Sequence, residues 1–276
     1  MGDVVGQVGE MWRYPVKSMA GERLDSVELG PLGIDGDRRY ALRDVETGKV
    51  LSAKQRQIGP ALLACRASLN DGELSIDVDG TTFGLDDRDA LDAALTARLG
   101  RPVRLVSDAA QGDVYESYWP EVEGTVLSDV TIDLPVAMST EPGTFVDLAP
   151  LHVVATSSIE HLADLLPDSV LGVGRFRPSF TVAGAGGDEA GFVEDGWTGR
   201  RARVGTATVA FTTASPRCVM TTLGQPGLPG DRAILQTLAR QHRLDFNGVG
   251  MFACLGLYAE VIEAGTISEG DDVILD

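Results

Sequence analysis

The feature that most limits the possible folds of this chain is a succession of short segments in which apolar and polar residues alternate. Residues 73–78 and 81–83 flank Asp79-Gly80, which is a strong signal for a β-hairpin. Further strands of this kind are predicted at residues 4–14, 23–29, 38–43 and 101–106. Short strands at this spacing, separated by turn residues, are typical of a barrel or a sandwich. We therefore predict a mainly β protein with a few helices (β or α+β).

The rest of the chain mixes helical segments with further strands. Residues 87–99 have the helical period, and a second helix is predicted at 159–166 with a hydroxyl of residues 156–158 as its cap. A third helix is predicted from the capping residue Asp231 to His242. Predicted strands of this half span residues 151–155, 175–182, 200–204, 207–213 and 249–261, and a closing strand lies within 265–275. The polar stretch 107–125 is the predicted join between two domains, residues 1–115 and 116–276.

Composition narrows the class of protein. The 276 residues carry a formal net charge of −18, which opposes binding to nucleic acid and to anionic lipid, since both require a basic surface. No apolar run approaches the ~20 residues that span a bilayer, and the N-terminus lacks the pattern of a secretory signal. Three cysteines without paired spacing argue against disulfides and indicate a reducing compartment. We expect a cytoplasmic protein whose partners include no nucleic acid and no membrane.

Residues 215–222 place a cysteine on a loop directly after the predicted strand 207–213. Ser215-Pro216 is expected to end that strand, because proline has no N–H group for the sheet. Cys218 follows Arg217, whose positive charge favours the thiolate, the form that attacks electrophiles and binds soft metals. Cys218 is the one cysteine with charged and hydroxyl neighbours, so it is the candidate functional thiol.

The other chemically active residues show no recognisable site. Cys65 and Cys254 lie in apolar runs and are predicted to be core residues. The three histidines lack the spacing of a zinc site and are predicted to be structural. The glycine-rich stretch 184–187 matches neither a dinucleotide-binding fingerprint nor a phosphate loop, so it is predicted to be a turn. A Cys–His nucleophilic pair stays open, because such partners can be far apart in sequence.

Several short motifs, in order along nearly the whole chain, resemble those of the MOSC family, which is named for the C-terminal domain of molybdenum-cofactor sulfurase. The first half contributes Tyr14-Pro15-Val16-Lys17-Ser18, Gly36-Asp37-Arg38-Arg39-Tyr40 and Ser52-Ala53-Lys54-Gln55. The second half contributes Phe176-Arg177-Pro178, Glu194-Asp195-Gly196-Trp197, Arg217-Cys218-Val219-Met220-Thr221-Thr222 and Gly270-Asp271-Asp272-Val273. The pattern is similar to that of the amidoxime-reducing components and their bacterial relatives. The resemblance implies an N-terminal β-barrel-like domain packed on a MOSC β-barrel domain.

The resemblance also implies a site. Cys218 would supply the protein thiolate to molybdenum in the molybdenum cofactor (Mo-molybdopterin). Asp195 matches an acidic position of the family near the metal, where it would relay protons or hydrogen-bond the pterin. Relatives usually carry asparagine where this chain has Ser179, so a contact is expected to be lost there or replaced by water. The residues that the resemblance assigns to the phosphate and pterin are Lys17, Ser18, Arg38, Thr156, Ser157, Ser158, Arg177, Ser179, Arg217 and Thr222.

The activity that the resemblance implies is the reduction of N-hydroxylated compounds, namely amidoximes, hydroxylamines and N-hydroxy-purines. No cysteine spacing of an iron–sulfur cluster is present, and the chain ends at Asp276 directly after the last predicted strand, whereas some bacterial relatives carry a fused ferredoxin-like domain. We therefore expect electrons from a separate protein of the ferredoxin or cytochrome/flavin reductase type. Two alternatives are a non-catalytic molybdopterin carrier and a sulfur carrier with a persulfide on Cys218.

Overall fold

The computed structural model describes residues 2–107, 109–124, 127–138, 143–185 and 191–276, and confirms the predicted mainly β class. The strands of the first half are β1 (Asp3–Arg13), β2 (Glu22–Leu24), β3 (Ser26–Gly30), β4 (Gly33–Ile34), β5 (Ala41–Asp44), β6 (Arg66–Asn70), β7 (Glu73–Val78), β8 (Thr81–Gly84), β9 (Val103–Val106), β10 (Val114–Trp119) and β11 (Val130–Pro135). Those of the second half are β12 (Leu151–Ala155), β13 (Phe180–Ala183), β14 (Arg201–Val204), β15 (Ala207–Pro216), β16 (Arg243–Asp245), β17 (Met251–Glu263), β18 (Gly265–Ser268) and β19 (Asp272–Leu275). The α-helices of the described residues are α1 (Gly59–Leu63), α2 (Arg88–Leu99), α3 (Thr156–Asp164) and α4 (Ala233–Gln241).

Seven strands close into a barrel in the order β12, β13, β1, β19, β14, β15 and β17. The barrel closes because β17 pairs with both β15 and β12. All of these pairs are antiparallel except β12 with β13, which are parallel. Since β1 comes from the start of the chain and the other six strands come from its second half, distant parts of the sequence build one barrel.

The strand β12 shows how the barrel buries two sets of side chains. Leu151, Val153 and Ala155 pack in the barrel interior, whereas Val154 belongs to the apolar cluster formed with α3 and α4. Side chains of a strand alternate between its two faces. Because both faces of β12 are covered, all five of its residues are buried, and the strand reads as a nearly continuous apolar run in the sequence.

The first half of the chain builds a second core beside the barrel. The hairpin β7–β8 is present as predicted and extends to a three-stranded sheet with β6. Helix α2 packs Leu91 and Leu95 into this core and ends at Gly100, whose φ of +67° is the left-handed conformation that glycine adopts freely. Cys218 and Met220, from the second half, also pack into this core. The predicted arrangement of two packed β units is confirmed, and the loop of Cys218 lies where they meet.

Two predicted strand boundaries differ from the structure. Strand β15 does not stop before Pro216 but includes it, and Pro216 lies opposite Cys254 of β17 after a shift in register. Strand β13 begins at Phe180, so the residues from 175 to 179 are not strand. The reason is local, because Arg177 has a φ of +54°, outside the β region.

The predicted helix caps also need correction. Helix α3 begins at Thr156, its N-cap is Ala155, and no side chain caps it. The predicted hydroxyl cap is therefore wrong, and the Ser158 hydroxyl donates to the Glu194 carboxylate instead. Helix α4 has Arg232 as its N-cap, one residue after the predicted Asp231, and Asp231 accepts the N–H group of Ala233 at 2.8 Å from the position before the cap.

The predicted join at residues 107–125 contains β10, which pairs with β11 over its whole length. Tyr115 of β10 packs with Ala41 and Val50 of the first half. The division into residues 1–115 and 116–276 stays a prediction. The predicted turn at 184–187 lies partly outside the described residues. None of the described helices has the length and apolar character needed to cross a membrane.

Candidate functional site

A cavity of about 100 Å³ lies where the end of β15 meets the turn that follows β1. Cys218 lines it together with six cationic side chains and one carboxylate, that of Asp147. The cations are Lys17, Arg38, Lys54, Arg175, Arg177 and Arg217. This local excess of positive charge occurs in a chain whose net charge is −18. The cavity therefore suits an anionic ligand, although the protein as a whole repels one.

Three lining residues have backbone conformations that are unusual for residues other than glycine. The φ angles of Ser18, Arg38 and Arg177 are 68°, 46° and 54°. The other positive-φ residues of the described chain that are not glycine are Asp71, Asp79, Asp129, Ala137 and Asn247. Most of these are Asp or Asn, which tolerate the left-handed region well. Serine and arginine tolerate it less, and such strain is commonly imposed by the surroundings at functional sites.

Hydrogen bonds between distant segments hold these three residues in place. The N–H group of Arg38 donates to the carbonyl of Tyr14 at 2.8 Å. The Ser18 hydroxyl accepts the N–H group of Ala53 at 2.9 Å, and Arg177 donates to the carbonyl of Met19 at 2.6 Å. Each strained residue is thus tied to a segment that also borders the cavity.

Two buried lysines share one carboxylate in the cavity. The Lys54 ammonium lies 2.9 Å from Asp147 and 3.1 Å from the hydroxyl of Tyr115. The Lys17 ammonium donates to Asp147 and, at 2.8 Å, to the carbonyl of Phe145. Burial lowers the pKa of Lys17 to about 8, against the opposing attraction of Asp147. Burial also acts to lower the pKa of Lys54, but the attraction of Asp147 outweighs it and leaves that pKa well above its ordinary value.

Arg38, Arg177 and Arg217 supply three further positive charges of the cavity wall. Arg38 forms an ion pair with Asp37. Burial, and then repulsion by Arg38, lower the pKa of Arg177 to about 10, so its guanidinium stays charged at neutral pH. Arg217 lies 3.2 Å from Nε2 of His152. Burial, and then repulsion by Arg217, lower the pKa of His152 to about 3, so this imidazole is neutral.

Cys218 is 9% exposed and precedes the 3₁₀ turn Val219–Thr222. The Thr221 hydroxyl donates to the carbonyl of Cys218 at 3.0 Å, which fixes the start of the turn. The Arg217 guanidinium donates to the Ser215 hydroxyl at 2.9 Å and to the Phe176 carbonyl at 2.8 Å. The thiol is therefore held on a defined turn at the edge of a cationic cavity.

Arg175 supports the cysteine loop through backbone contacts. Its side chain is fully buried and donates to the carbonyls of Thr221 and Leu223 at 3.0 and 3.1 Å. It also donates to the carbonyls of Val170 and Pro229 at 3.2 and 2.8 Å. One guanidinium thus joins the turn after Cys218 to two other segments of the second half.

Asp195 does not line this cavity. Its Oδ2 lies 2.7 Å from Nε2 of His242, and Nδ1 of the same imidazole lies 2.9 Å from the carbonyl oxygen of Cys254. Burial acts to lower the pKa of His242, but the hydrogen bonds to Asp195 and Cys254 outweigh it and raise that pKa. The structure thus places Asp195 in an ion pair among residues outside the cavity wall, and its predicted role at the metal stays a prediction.

Ser179 and Thr222 also lie outside the wall of the cavity. Ser179 is fully buried, and its hydroxyl accepts the N–H group of His152 at 3.1 Å. Thr222 lines a different groove of about 740 Å³, and its hydroxyl donates to the carbonyl of Val219 at 2.7 Å. Both hydroxyls are thus engaged with the backbone.

The three hydroxyls at the start of α3 are not among the lining residues either. Thr156 donates to the carbonyl of Val182 at 3.4 Å, and Ser158 donates to Glu194. The Ser157 hydroxyl is buried without a hydrogen-bond partner. The structure therefore does not bring this helix start to the cavity, whereas it brings together the other five predicted contact residues, which are Lys17, Ser18, Arg38, Arg177 and Arg217.

Sequence reasoning missed several polar residues of the cavity. Lys54 lies in a motif of the first half, which was the available signal, but it was not assigned a role. Asp147 lies in an irregular segment without a motif, and His152 lies in a strand that was interpreted as core. Tyr258 reaches the cavity from β17. For Asp147, His152 and Tyr258 no local sequence signal distinguishes a lining position from an ordinary one.

A metal ion at Cys218 would need ligands from outside the protein. Among the described residues, no three His, Cys, Asp or Glu side chains lie together as a protein-built metal centre requires. A single thiol surrounded by cations instead fits a metal that arrives with its own anionic ligand.

Two family models match the chain. The model of the MOSC N-terminal beta barrel domain matches residues 5–114, and the model of the MOSC domain matches residues 141–274. The chain is a MOSC-domain protein. In this MOSC protein the cavity draws on both matched segments, because Lys17 and Lys54 lie in the first and Cys218 lies in the second.

Curated relatives resemble the MOSC protein over nearly its whole length at low identity. Mitochondrial amidoxime reducing component 2 from Bos taurus is 24% identical over 298 residues, which cover 98% of this chain and 83% of the relative. Mitochondrial amidoxime-reducing component 1 from Mus musculus is 25% identical over 299 residues, which cover 98% of this chain and 82% of the relative. The resemblance seen in the motifs is confirmed. The relatives are named as mitochondrial, and the cytoplasmic location expected for this chain stays a prediction.

Similar solved structures are more distant. The YUAD protein from Bacillus subtilis covers 100% of this chain and 98% of its own, with 8% identity and a TM-score of 0.43. YiiM from Geobacillus stearothermophilus covers 46% of this chain and 54% of its own, with 20% identity and a TM-score of 0.31.

Proposed function

We propose that this MOSC protein binds a molybdenum–pterin cofactor in the cavity and reduces N-hydroxylated compounds such as amidoximes, hydroxylamines and N-hydroxy-purines. The observation that carries the proposal is the Cys218 thiol beside a cluster of buried cations in a strongly acidic protein. A thiolate is a soft ligand for a sulfur-rich metal centre, and cationic N–H donors bind phosphate. The names of the amidoxime-reducing relatives support the reaction class.

The side chains of the cavity fit such a cofactor chemically. Cys218 would be the protein ligand of the metal. Lys17, Arg38 and Arg177 would bind the phosphate and pterin, with Lys54 as a further cation. Their charges have only Asp37 and Asp147 as carboxylate partners among the described ion pairs.

Cofactor binding would require the cavity to widen. Its volume of about 100 Å³ is below the roughly 300–1,000 Å³ of small-molecule sites, and the Asp147 carboxylate contacts both lysines within it. Separation of Asp147 from Lys17 and Lys54 is therefore the rearrangement that we expect on binding. The Asp147 side chain is 32% exposed and lies in a segment without helix or strand, so it can turn toward solvent.

The protein's own part in the reaction is to bind, orient and exclude water. When bound, the cofactor supplies the two electrons that cleave the N–O bond of the substrate, while two protons are taken up and water is released. Thr221 and Arg175 hold the turn that carries Cys218, and the low exposure of the thiol keeps water from it. The electrons come from a separate redox protein of the ferredoxin or cytochrome/flavin reductase type.

The test is the molybdenum and pterin content of protein purified from a host that makes the cofactor. We expect near-stoichiometric molybdenum in the wild type, loss of it in Cys218→Ala, and retention in the control Cys65→Ala, whose thiol is buried in the core of the first half. Loaded protein is then assayed for reduction of a benzamidoxime with an artificial electron donor.

The outcomes separate the alternatives. A wild type without molybdenum or pterin would overturn the proposal, and sulfane sulfur bound to Cys218 would then support the persulfide carrier. Loaded protein that reduces no N-hydroxylated compound would support the non-catalytic carrier.

A further inference from the structure

We infer that Tyr14 is a positioning residue whose aromatic ring holds the guanidinium groups of Arg38 and Arg177 together at the cavity. The inference rests on the proposed function, since it assumes an anionic ligand there. Tyr14 is 2% exposed and is not among the residues that line the cavity. Any effect of Tyr14 on a ligand therefore acts through the two arginines.

Both guanidinium groups lie over the Tyr14 ring. Cζ of Arg177 lies 4.0 Å from the ring centroid, and Cζ of Arg38 lies 4.6 Å from it. Both distances are within the ~6 Å over which the negative face of an aromatic ring attracts a cation. One ring thus contacts a cation from each half of the chain.

The backbone around Tyr14 fixes the ring relative to Arg38. The N–H group of Tyr14 donates to Oδ1 of Asp37 at 2.7 Å, and its carbonyl accepts the N–H group of Arg38 at 2.8 Å. Asp37 also forms the ion pair with the Arg38 guanidinium. Arg177, by contrast, comes from the segment before β13, and the hydrogen bond from its Nη1 to Met19 ties it to the turn after β1. The ring is therefore fixed relative to Arg38, and the Arg177 guanidinium packs on it from another segment.

The ring contacts a guanidinium that forms no ion pair with any described carboxylate. Arg38 has Asp37 as its partner, but the ion pairs of the described residues include none for Arg177. Two buried guanidinium groups this close repel each other, and the lowered pKa of Arg177 reflects burial and then the charge of Arg38. A desolvated cation–π contact is stronger than an exposed one. The Tyr14 ring thus allows two like charges to face one cavity.

The hydroxyl of Tyr14 does not explain its presence. Its oxygen is buried and has no hydrogen-bond partner in the structure. A buried hydroxyl without a partner costs free energy, so the favourable contribution of this side chain comes from the ring. Tyr14→Phe is therefore the reference variant, since it keeps the ring and removes only the hydroxyl.

The experiment titrates cofactor-free, full-length protein with inorganic phosphate by calorimetry. Position 14 carries phenylalanine, 4-fluorophenylalanine or 3,4,5-trifluorophenylalanine, because fluorine withdraws electrons from the ring face and changes its shape little. We expect the Tyr14→Phe variant to bind phosphate as the wild type does, and the trifluoro variant to bind roughly tenfold more weakly, with the monofluoro variant between them. A residue that only filled space would show no such graded series.

The matched control is the same substitution series at Tyr40. Its ring lies 5.9 Å from Cζ of Arg39, an exposed arginine that does not line the cavity, so no change in phosphate affinity is expected. Equal phosphate affinity across the series at position 14 would overturn the inference and leave the proposed function intact. A wild-type protein that holds molybdenum but binds no phosphate would also overturn the inference about Tyr14 and leave the proposed function intact. A wild-type protein that holds no molybdenum and binds no phosphate would overturn both the inference and the proposed function.

Discussion

Nζ of Lys54 lies 2.9 Å from Oδ2 of Asp147, and the same carboxylate accepts a hydrogen bond from Lys17. One carboxylate therefore pairs with two buried ammonium groups in a cavity where it is the one carboxylate among six cationic side chains. An anionic ligand in the cavity would approach the same two groups. The Asp147 carboxylate would therefore compete with such a ligand for Lys17 and Lys54.

The variant Asp147→Asn should raise the affinity of cofactor-free protein for inorganic phosphate by about fivefold, since a partly exposed ion pair is worth roughly 1 kcal/mol. Calorimetric titration at pH 7 measures the change. The control is Asp133→Asn, which removes the carboxylate of an exposed pair with Lys49 and should leave the affinity unchanged. Weaker phosphate binding by Asp147→Asn would show that this carboxylate assists the ligand and does not compete with it.

Arg175→Met should lower the free energy of unfolding by about 3 kcal/mol, because it leaves one buried and three partly buried carbonyls without this donor. Urea denaturation followed by circular dichroism measures the change. Arg200→Met, which removes hydrogen bonds to the carbonyl of Asp276 at the surface, should change stability by only about 0.5 kcal/mol. Equal effects of the two substitutions would contradict the assigned role of Arg175.

The pair of His242 and Asp195 predicts a pH dependence of stability. Since the folded-state pKa of His242 is raised, the pair contributes its full stability below the unfolded value of about 6.5 and loses it as pH rises through the raised pKa. His242→Gln and Asp195→Asn should each reduce the decline in melting temperature between pH 6 and pH 9. A decline as steep as that of the wild type in both variants would rule out this pair as its cause.

The buried Glu194 predicts a second pH dependence of stability, and again stability falls as pH rises. Burial raises its pKa to about 7, against the opposing hydrogen bond from Ser158, so the folded state binds a proton that the unfolded state releases above about pH 4.5. Stability should therefore fall as pH rises toward 7. Glu194→Gln should be more stable than the wild type by up to about 3 kcal/mol at pH 8 and nearly equal to it at pH 4.5, as urea denaturation would show.

The control for Glu194 is the exposed Glu160 of α3, whose replacement by glutamine should change stability little at either pH. If Glu194→Gln gives the same stability difference at both pH values, ionisation of Glu194 is not the source of the effect.

Local patterns predicted much of the secondary structure. The hairpin β7–β8, helix α2 and the strands β14 and β15 all follow from alternation, helical period and turn residues. These features depend on residues close together in sequence, whose side chains share a face of one element. Cys218 was singled out by its neighbours in the sequence, and Lys17 and Arg38 by the family resemblance of their motifs; the structure brings the three together.

Other parts of the site depend on contacts that no local pattern contains. Lys17 by itself looks like a solvated charge, yet its side chain is 5% exposed because Asp147 and Phe145 meet it from a distant segment. The contact of Asp195 with His242 at the end of α4 likewise joins segments far apart in the chain.

The strand-rich class, the main turns and the family-like motifs follow from the sequence alone, because these are properties of neighbouring residues. The tertiary structure alone sets the pairing of β1 with β13 and β19, which carries Tyr14 and Lys17 to the loop of Cys218. It also decided which charges are buried and paired, since burial and ion pairing depend on the distance between segments far apart in the chain.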